Sequence, residues 1–350
     1  MSTRMQELAP AGLLAALAAS VSAPASGQDY AWDPADVASR QSAFIDEMVA
    51  EHGFDAAELG EILGSASIQQ SALNAISRPV ERVIPWYEYR EIFLNPARIE
   101  AGAEFWRANE ALVTETAERY RVDPEYILAI LGIESLYGER MGSYRVVDAL
   151  NTLAFAYPPR ADFFASELES FLLIHGEEGP AVLDALGSYA GAMGAGQFIP
   201  SSYRAYAVDA DGDGRRDLWA NWGDILGSIA NYLARHGWRY GETVAVRAGL
   251  GSAPPLEPGN RLGLDSTVAE LRSRGYEFDE SLGDDRPAMI VALEGSADAT
   301  AYHVGLSNFH VITRYNRSVK YALAAVELAD AIRHEYHAGR STDAEPLTRD

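Results

Sequence analysis

The chain has 350 residues, 48% of them hydrophobic and 23% charged. That composition excludes wholesale disorder and leaves room for two or three structural units. There is no cysteine, which excludes a disulfide scaffold, thiol catalysis, cysteine-ligated zinc and a lipid anchor carried on cysteine. With 28 basic against 51 acidic residues the formal net charge is −23, so a phosphate backbone is repelled and nucleic acid is not an expected partner.

Residues 11–23, AGLLAALAASVSA, are apolar, uncharged and too short to cross a bilayer as a mature helix. Arg4 precedes them, and Ala23-Pro24-Ala25 and Ala25-Ser26-Gly27 place small residues at cleavage spacing. This is the pattern of a secretory signal peptide. Residues 1–27 are expected to be removed, leaving a soluble periplasmic protein without a lipid anchor.

Residues 34–78 carry helical spacing, with Phe44, Met48, Leu59, Ile62 and Leu63 as inward positions. Helix continues over 97–120. The stretch 121–137 opens with Asp123 as N-cap, Pro124 at the first helical position and Glu125 in the first turn. Ile127, Leu128, Ile130, Leu131 and Ile133 then follow almost without polar interruption, so this helix must be deeply buried. Further helices are expected over 161–175 and 223–235.

Beyond about residue 240 the short runs GETVAVRAG, AMIVALEG and AYHVGLS, bounded by Gly, Pro and Asp, read as a small antiparallel unit. SNFHVITRYN fits either helix or strand. Residues 318–337 return to helix, and 338–350 form a polar, flexible tail.

Two places carry chemistry. Glu134 lies in LAILGIESLYG, the least polar stretch after the leader. A carboxyl group buried there is pushed toward its neutral form and suits a general acid at neutral pH. The same periodicity also accommodates a helix-surface Glu, or one paired with an arginine such as Arg140. The second place is AGAMGAGQFIPSSY, 190–203, where small residues flank Met193 and precede Gln197 and Phe198. Glycines permit close approach by a ligand or another backbone, and an amide can donate and accept on one ligand. A sugar-binding groove and a tight interhelix turn are both consistent with it.

Six segments in order resemble the lytic murein transglycosylase B family of bacterial cell-wall enzymes. They are PWYEYREIF (85–93), GIESLYG (132–138), DALNTLAFAYPPRADFF (148–164), GSYAGAMGAGQFIPSSYRAYAVD (187–209), GSIANYLARHGW (227–238) and ITRYNRSVKYA (312–322). The resemblance implies a mainly α fold of α+β type: a lysozyme-like helical core, an additional helical domain and a small antiparallel β domain. In this chain these correspond to an N-terminal helical domain over 28–104 completed by the helix 318–337, a core over 105–240, and a β domain over 241–311.

The resemblance also implies that Glu134 is the catalytic acid and that Ser188 and Gln197 hold the sugar near it. Phe198, Arg160, Tyr89, Tyr232, Tyr315, Asn316 and Tyr321 match other groove positions. Pro159 and Phe163 stand where the family carries arginine and tyrosine, so outer contacts differ. The implied substrate is the glycan strand of peptidoglycan, cut between N-acetylmuramic acid and N-acetylglucosamine to leave a 1,6-anhydro end. No organic cofactor is implied, other cell-wall enzymes are conceivable partners, and a monomer is the default. A non-catalytic peptidoglycan-binding protein and a hydrolytic muramidase are the alternatives on the same fold.

Residues 209–220, DADGDGRRDLWA, place Asp209, Asp211 and Asp213 at positions 1, 3 and 5 of a calcium loop, with Gly214 at the turn. Arg215 offers a backbone carbonyl. Position 12 is Ala220, so Asp224 is the expected closing ligand of a longer loop. The family also implies one such metal loop; Ca2+ in a structural role is the expectation from the loop pattern, and a solvent-exposed acidic turn is the other reading. His334 and His337 are spaced i, i+3 but lack a third ligand, which favours a surface pair.

Overall fold

The structure, a computed structural model, describes residues 29–77 and 84–342. The expected signal peptide and residues 343–350 of the polar tail lie outside the described residues.

The element order is α1 (Pro34–His52), α2 (Ala56–Ser65), α3 (Gln70–Ser77), α4 (Trp86–Phe93), α5 (Pro96–Ala108), α6 (Glu110–Tyr120) and α7 (Pro124–Ser135). Then come β1 (Tyr144–Arg145), α8 (Val146–Ala156), α9 (Ala161–Glu178), β2 (Leu186–Gly187), α10 (Pro200–Tyr206) and α11 (Trp222–Arg235). The chain closes with β3 (Ala245–Ala248), β4 (Ser266–Thr267), α12 (Val268–Ser273), β5 (Pro287–Glu294), β6 (Thr300–Gly305), α13 (Ser307–Tyr315) and α14 (Val319–Thr342). The expected fold class, mainly α with a small antiparallel part, is what the chain adopts.

Two compact units share these elements, one holding residues 84–137 and 226–342, the other residues 29–77 and 138–225. The first is called here the acid-bearing unit and the second the loop-bearing unit.

In the loop-bearing unit, helix starts follow the capping rules. Asp33 accepts from Ala35 N at 2.8 Å ahead of Pro34, and Asp55 accepts from Ala57 N and Glu58 N. The expected inward residues Phe44, Met48, Leu59, Ile62 and Leu63 are all buried. The central helix is α8, of which every residue is buried. Of its polar members, Asp148 accepts from Ser67 Oγ at 3.1 Å and Gln69 Nε2 at 3.2 Å, and Asn151 Oδ1 accepts from Gln41 Nε2 at 2.8 Å.

In the acid-bearing unit every residue of α7 except Pro124 is buried, with α14 and α5 packed against it. Asp123 occupies the N-cap position of α7 but makes no cap bond. Its carboxylate accepts from Trp238 Nε1 at 2.8 Å and Gly241 N at 3.0 Å, so a tertiary tie displaces the expected local one. SNFHVITRYN resolves as α13. The sheet has strand order β3-β6-β5-β4, with Ile290 and Val246 both opposite Val304. One face, with Ile290, Ala292, Tyr302 and Val304, packs on Val268 and Leu271 of α12. That short helix carries a full capping box between Thr267 and Glu270.

Candidate active site

Glu134 lies in the last turn of α7 with 6% of its surface exposed. Its Oε1 accepts a hydrogen bond from the Tyr321 hydroxyl at 2.6 Å. Its Oε2 is buried and meets no partner among the described residues, and the buried Tyr89 hydroxyl is equally unmatched. Buried polar atoms are rarely left so, and an unmatched carboxyl oxygen beside an unmatched phenol marks a place for a ligand or water.

Desolvation pushes the Glu134 carboxyl up to about 8, with the Tyr321 hydrogen bond pulling the other way. The group is therefore chiefly protonated at neutral pH, as a general acid requires. Its charge is felt by three phenols. Tyr89 of α4, Tyr315 at the end of α13 and Tyr321 in the first turn of α14 all titrate above the usual phenol range, first through burial and then through the Glu134 carboxylate. Tyr232 of α11 stands edge-on to Tyr315 with centroids 4.7 Å apart and donates to Arg314 O at 2.6 Å. Asn316 is buried as the C-cap of α13. The expected residues Glu134, Tyr89, Tyr315 and Tyr321 thus come together, with Tyr232 behind them.

Just past the acid, Leu136 and Tyr137 adopt left-handed φ values of 51° and 56°. Two consecutive non-glycine residues in that region need support from outside. It comes from Tyr137, whose hydroxyl lodges where Gly102 of α5 and Gly132 of α7 lack side chains. A Cβ there would lie 2.3 and 2.5 Å from the phenol oxygen. The hydroxyl donates to Arg98 O at 3.0 Å, and the ring stacks on Phe105. Sequence reading missed Tyr137; its signal was the pair of glycines inside helical patterns.

In the loop-bearing unit, residues 187–200 form a compact, almost wholly buried loop from which Ser188, Tyr189 and Gln197 are the side chains not fully covered. Met193 and Phe198 exchange two backbone hydrogen bonds, at 2.8 and 3.0 Å. Ser188 Oγ accepts from Ala192 N at 3.0 Å, and Gln197 Nε2 donates to Met141 O at 3.1 Å and Gly194 O at 2.9 Å. Gln197 itself has φ of 52°. The tight-turn reading of this segment is right for the backbone, and the turn presents the Gln197 and Ser188 side chains. Phe198 is only 2% exposed, so its ring anchors the loop to the core and presents no open face. Arg160 lies over the Phe163 ring at 4.4 Å, on the half-buried surface near Tyr189. Tyr189 went unremarked in the sequence because it is one aromatic among many.

Asp209, Asp211 and Asp213 bring one carboxylate oxygen each to within 4.8 Å of one another, on a loop that turns at Gly212 and Gly214. Asp209 accepts from Gly212, Asp213 and Gly214 amides, which hold its carboxyl below the usual range. Three hard oxygen donors at alternate positions suit Ca2+. Asp224, the expected closing ligand, is fully buried, and its two oxygens accept from Ala210 N at 2.7 Å and Asp217 N at 2.8 Å. It thereby clips the two ends of the loop together, and it lies outside the three-carboxylate cluster. The Asp217 carboxylate caps the following turn at Trp219 N and Ala220 N. The Arg215 amide donates to Asp213 Oδ1 at 2.8 Å.

Comparison with known proteins decides the family. Residues 37–330 match the transglycosylase SLT domain. The chain is 40% identical over 315 residues to membrane-bound lytic murein transglycosylase B of Escherichia coli strain K12, covering 87% of this chain and 84% of that protein. The crystal structure of soluble lytic transglycosylase SltB1 from Pseudomonas aeruginosa is 42% identical with a TM-score of 0.77, over 84% of this chain and 98% of that one. The Escherichia coli lytic transglycosylase Slt35 in complex with calcium is 39% identical with a TM-score of 0.76, over 89% of this chain and 96% of that one.

The chain belongs to the transglycosylase SLT domain family. It is an enzyme of the lytic murein transglycosylase class, as its sequence segments led one to expect. The word "membrane-bound" belongs to the Escherichia coli relative. In this transglycosylase no helix among the described residues is long and apolar enough to cross a membrane.

Proposed function

We propose that Glu134 is the single acid and base with which this transglycosylase cuts the bond between N-acetylmuramic acid and N-acetylglucosamine in peptidoglycan. The observation that carries the reading is the buried carboxyl with one oxygen fixed by Tyr321 and the other unmatched. Tyr321 holds Oε1, so Oε2 carries the proton and meets the glycosidic oxygen. Protonation breaks the bond from C1 to that oxygen, and the carbonyl oxygen of the muramyl 2-acetamido group closes on C1 from within the substrate. Glu134, now ionised, takes the proton of the C6 hydroxyl, whose oxygen attacks C1 and reopens the acetamido ring. The products are a 1,6-anhydromuramoyl end and a free 4-hydroxyl. Glu134 ends protonated as it began, and no water is consumed.

In this reading Ser188 and Gln197 hold a sugar ring of the strand, and Arg160 faces the outer sugars or the stem peptide. Tyr89, Tyr232, Tyr315, Asn316 and Tyr321 wall the acid, and Phe198 supports the Gln197 turn from inside. Ca2+ is held by Asp209, Asp211, Asp213 and the Arg215 carbonyl. Asp224 is the closing carboxylate, since each of its oxygens keeps a second lone pair beyond its amide bond. When bound, the ion supplies structural charge neutralisation and no chemistry at C1. The chain acts in the periplasm after loss of residues 1–27.

The test is digestion of purified sacculi followed by mass spectrometry of the released muropeptides. Anhydro products are lighter by about 18 Da than those of a hydrolase, the mass of the water not added. Glu134→Gln is expected to lose at least ~10²–10⁴-fold in turnover, the usual span for general acid–base groups, while still binding sacculi. Reducing-end products would indicate a muramidase, and binding without turnover by the unaltered chain a non-catalytic protein.

A further inference from the structure

The Gln197 loop and the metal loop are joined through one residue, Leu218. Ala195 N donates to Leu218 O at 2.8 Å. Gly194 has φ of 64°, and a Cβ there would lie 2.4 Å from Leu218 O and 2.5 Å from Leu218 Cβ. The contact thus sets the Gly194 backbone against the carbonyl and Cβ of Leu218, atoms that no rotamer change can move aside.

On one side of it, the Gly194 carbonyl accepts from both the amide and the side-chain Nε2 of Gln197, at 3.1 and 2.9 Å. On the other side, Leu218 follows Asp217, whose amide is held by Asp224 Oδ2 at 2.8 Å while Asp224 Oδ1 holds Ala210 beside Asp209. Both loops also wall one cavity of about 440 Å3, to which Met193 contributes from the sugar loop and Arg215, Arg216, Asp217 and Trp219 from the metal loop.

We propose that Leu218 is a positioning residue that couples cation binding at Asp209, Asp211 and Asp213 to sugar binding at Gln197. Ordering the acidic loop fixes Leu218. Leu218 fixes Gly194, and Gly194 sets where the Gln197 amide stands. Coupling of two binding events is reciprocal. The glycan must therefore tighten the ion as much as the ion tightens the glycan. The inference rests on the assignment of Gln197 to the sugar and of the acidic loop to Ca2+.

The experiment titrates the full chain carrying Glu134→Gln, which consumes no substrate, with CaCl2 in a calorimeter. It is run with and without a saturating GlcNAc–MurNAc tetrasaccharide, and then in the reverse order. The expected result is a ~5–50-fold tighter Ca2+ affinity with the sugar present and an equal factor for the sugar with Ca2+ present, within the usual range of allosteric coupling. Adding Gly194→Ala, which wedges the contact, is expected to bring both factors toward one while each ligand still binds. Leu218→Met, which keeps the Cβ and carbonyl, is expected to preserve them.

Ca2+ and sugar that bind with affinities independent of each other would overturn the coupling and leave both assignments standing. Absence of any calcium heat, or of any sugar heat, would overturn it together with the corresponding assignment. Should Gly194→Ala fail to fold, the reciprocal factors in the Gly194 chain and in Leu218→Met decide alone, because factors well above one support the coupling and unit factors reject it.

Discussion

At Glu134, what suits the reaction opposes folding. A carboxyl group that titrates near 4.5 in the unfolded chain is pushed to about 8 in the folded one. Between those values the native state binds a proton that the unfolded state has lost, so folding stability falls as pH rises from about 4.5 to 8 and stays low above it. Glu134→Gln removes this titration. It is expected to be about as stable as the parent chain near pH 4.5 and more stable at pH 9 by about 2–5 kcal/mol, the order set by a shift of this size. Urea denaturation at the two pH values checks it, and an equal difference at both would contradict the buried neutral acid. Turnover of the unaltered enzyme should fall on the alkaline side of about 8, roughly tenfold per pH unit as the acid ionises. Tyr321 supplies the hydrogen bond that favours the ionised form. Tyr321→Phe should therefore move that limb to higher pH as well as lowering kcat, whereas loss of packing alone would lower the rate without moving the limb. The pH dependence of kcat/KM separates the two.

At the scale of elements, the exit from α7 depends on how closely α5 approaches it. Gly102 and Gly132 leave the slot that the Tyr137 hydroxyl fills, and that phenol supports two left-handed residues directly after the acid. Gly132→Ala is expected to cost about 1–3 kcal/mol through overpacking. Tyr137→Phe, which removes the phenol's hydrogen bond to Arg98 O, is expected to cost about 1 kcal/mol. Thermal melts measure both, and a neutral Gly132→Ala would show the slot to be looser than drawn. The elements themselves were largely readable. The apolar run behind Pro124 announced a buried helix, and Phe44, Met48, Leu59, Ile62 and Leu63 announced the inward faces of α1 and α2. SNFHVITRYN was ambiguous because its β-branched residues suit either state, and packing chiefly against α14 made it α13. The Thr267–Glu270 capping box stood in the sequence unread, since β4 and α12 are too short for periodicity to register. The tie from Tyr321 to Glu134 spans 187 positions and was beyond any local pattern. Family likeness named both residues, and only the coordinates show the bond between them.

The whole molecule carries a net charge of −23, and self-repulsion on that scale lowers the stability of any compact state. Two kinds of cation relieve it in distinguishable ways. Sodium screens all the acidic groups, so the melting midpoint should rise gradually with NaCl up to the ionic strength at which the Debye length falls below the spacing of surface charges. Calcium at Asp209, Asp211 and Asp213 acts by site occupancy. Its stabilisation follows RT ln(1 + [L]/Kd) and reaches about 2.7 kcal/mol at a hundredfold excess over Kd, enough to raise the midpoint by several degrees. Calcium at micromolar to millimolar levels should therefore stabilise the chain at constant ionic strength where sodium does nothing. Magnesium should do less, because it dehydrates reluctantly and demands near-octahedral geometry. Asp213→Ala removes one of the three carboxylates and should abolish the calcium-specific rise while leaving the sodium-dependent rise intact. Scanning calorimetry in EGTA, in CaCl2 and in MgCl2 at matched ionic strength separates these contributions. A calcium effect no larger than that of magnesium would reduce the acidic loop to one more part of the general surface charge.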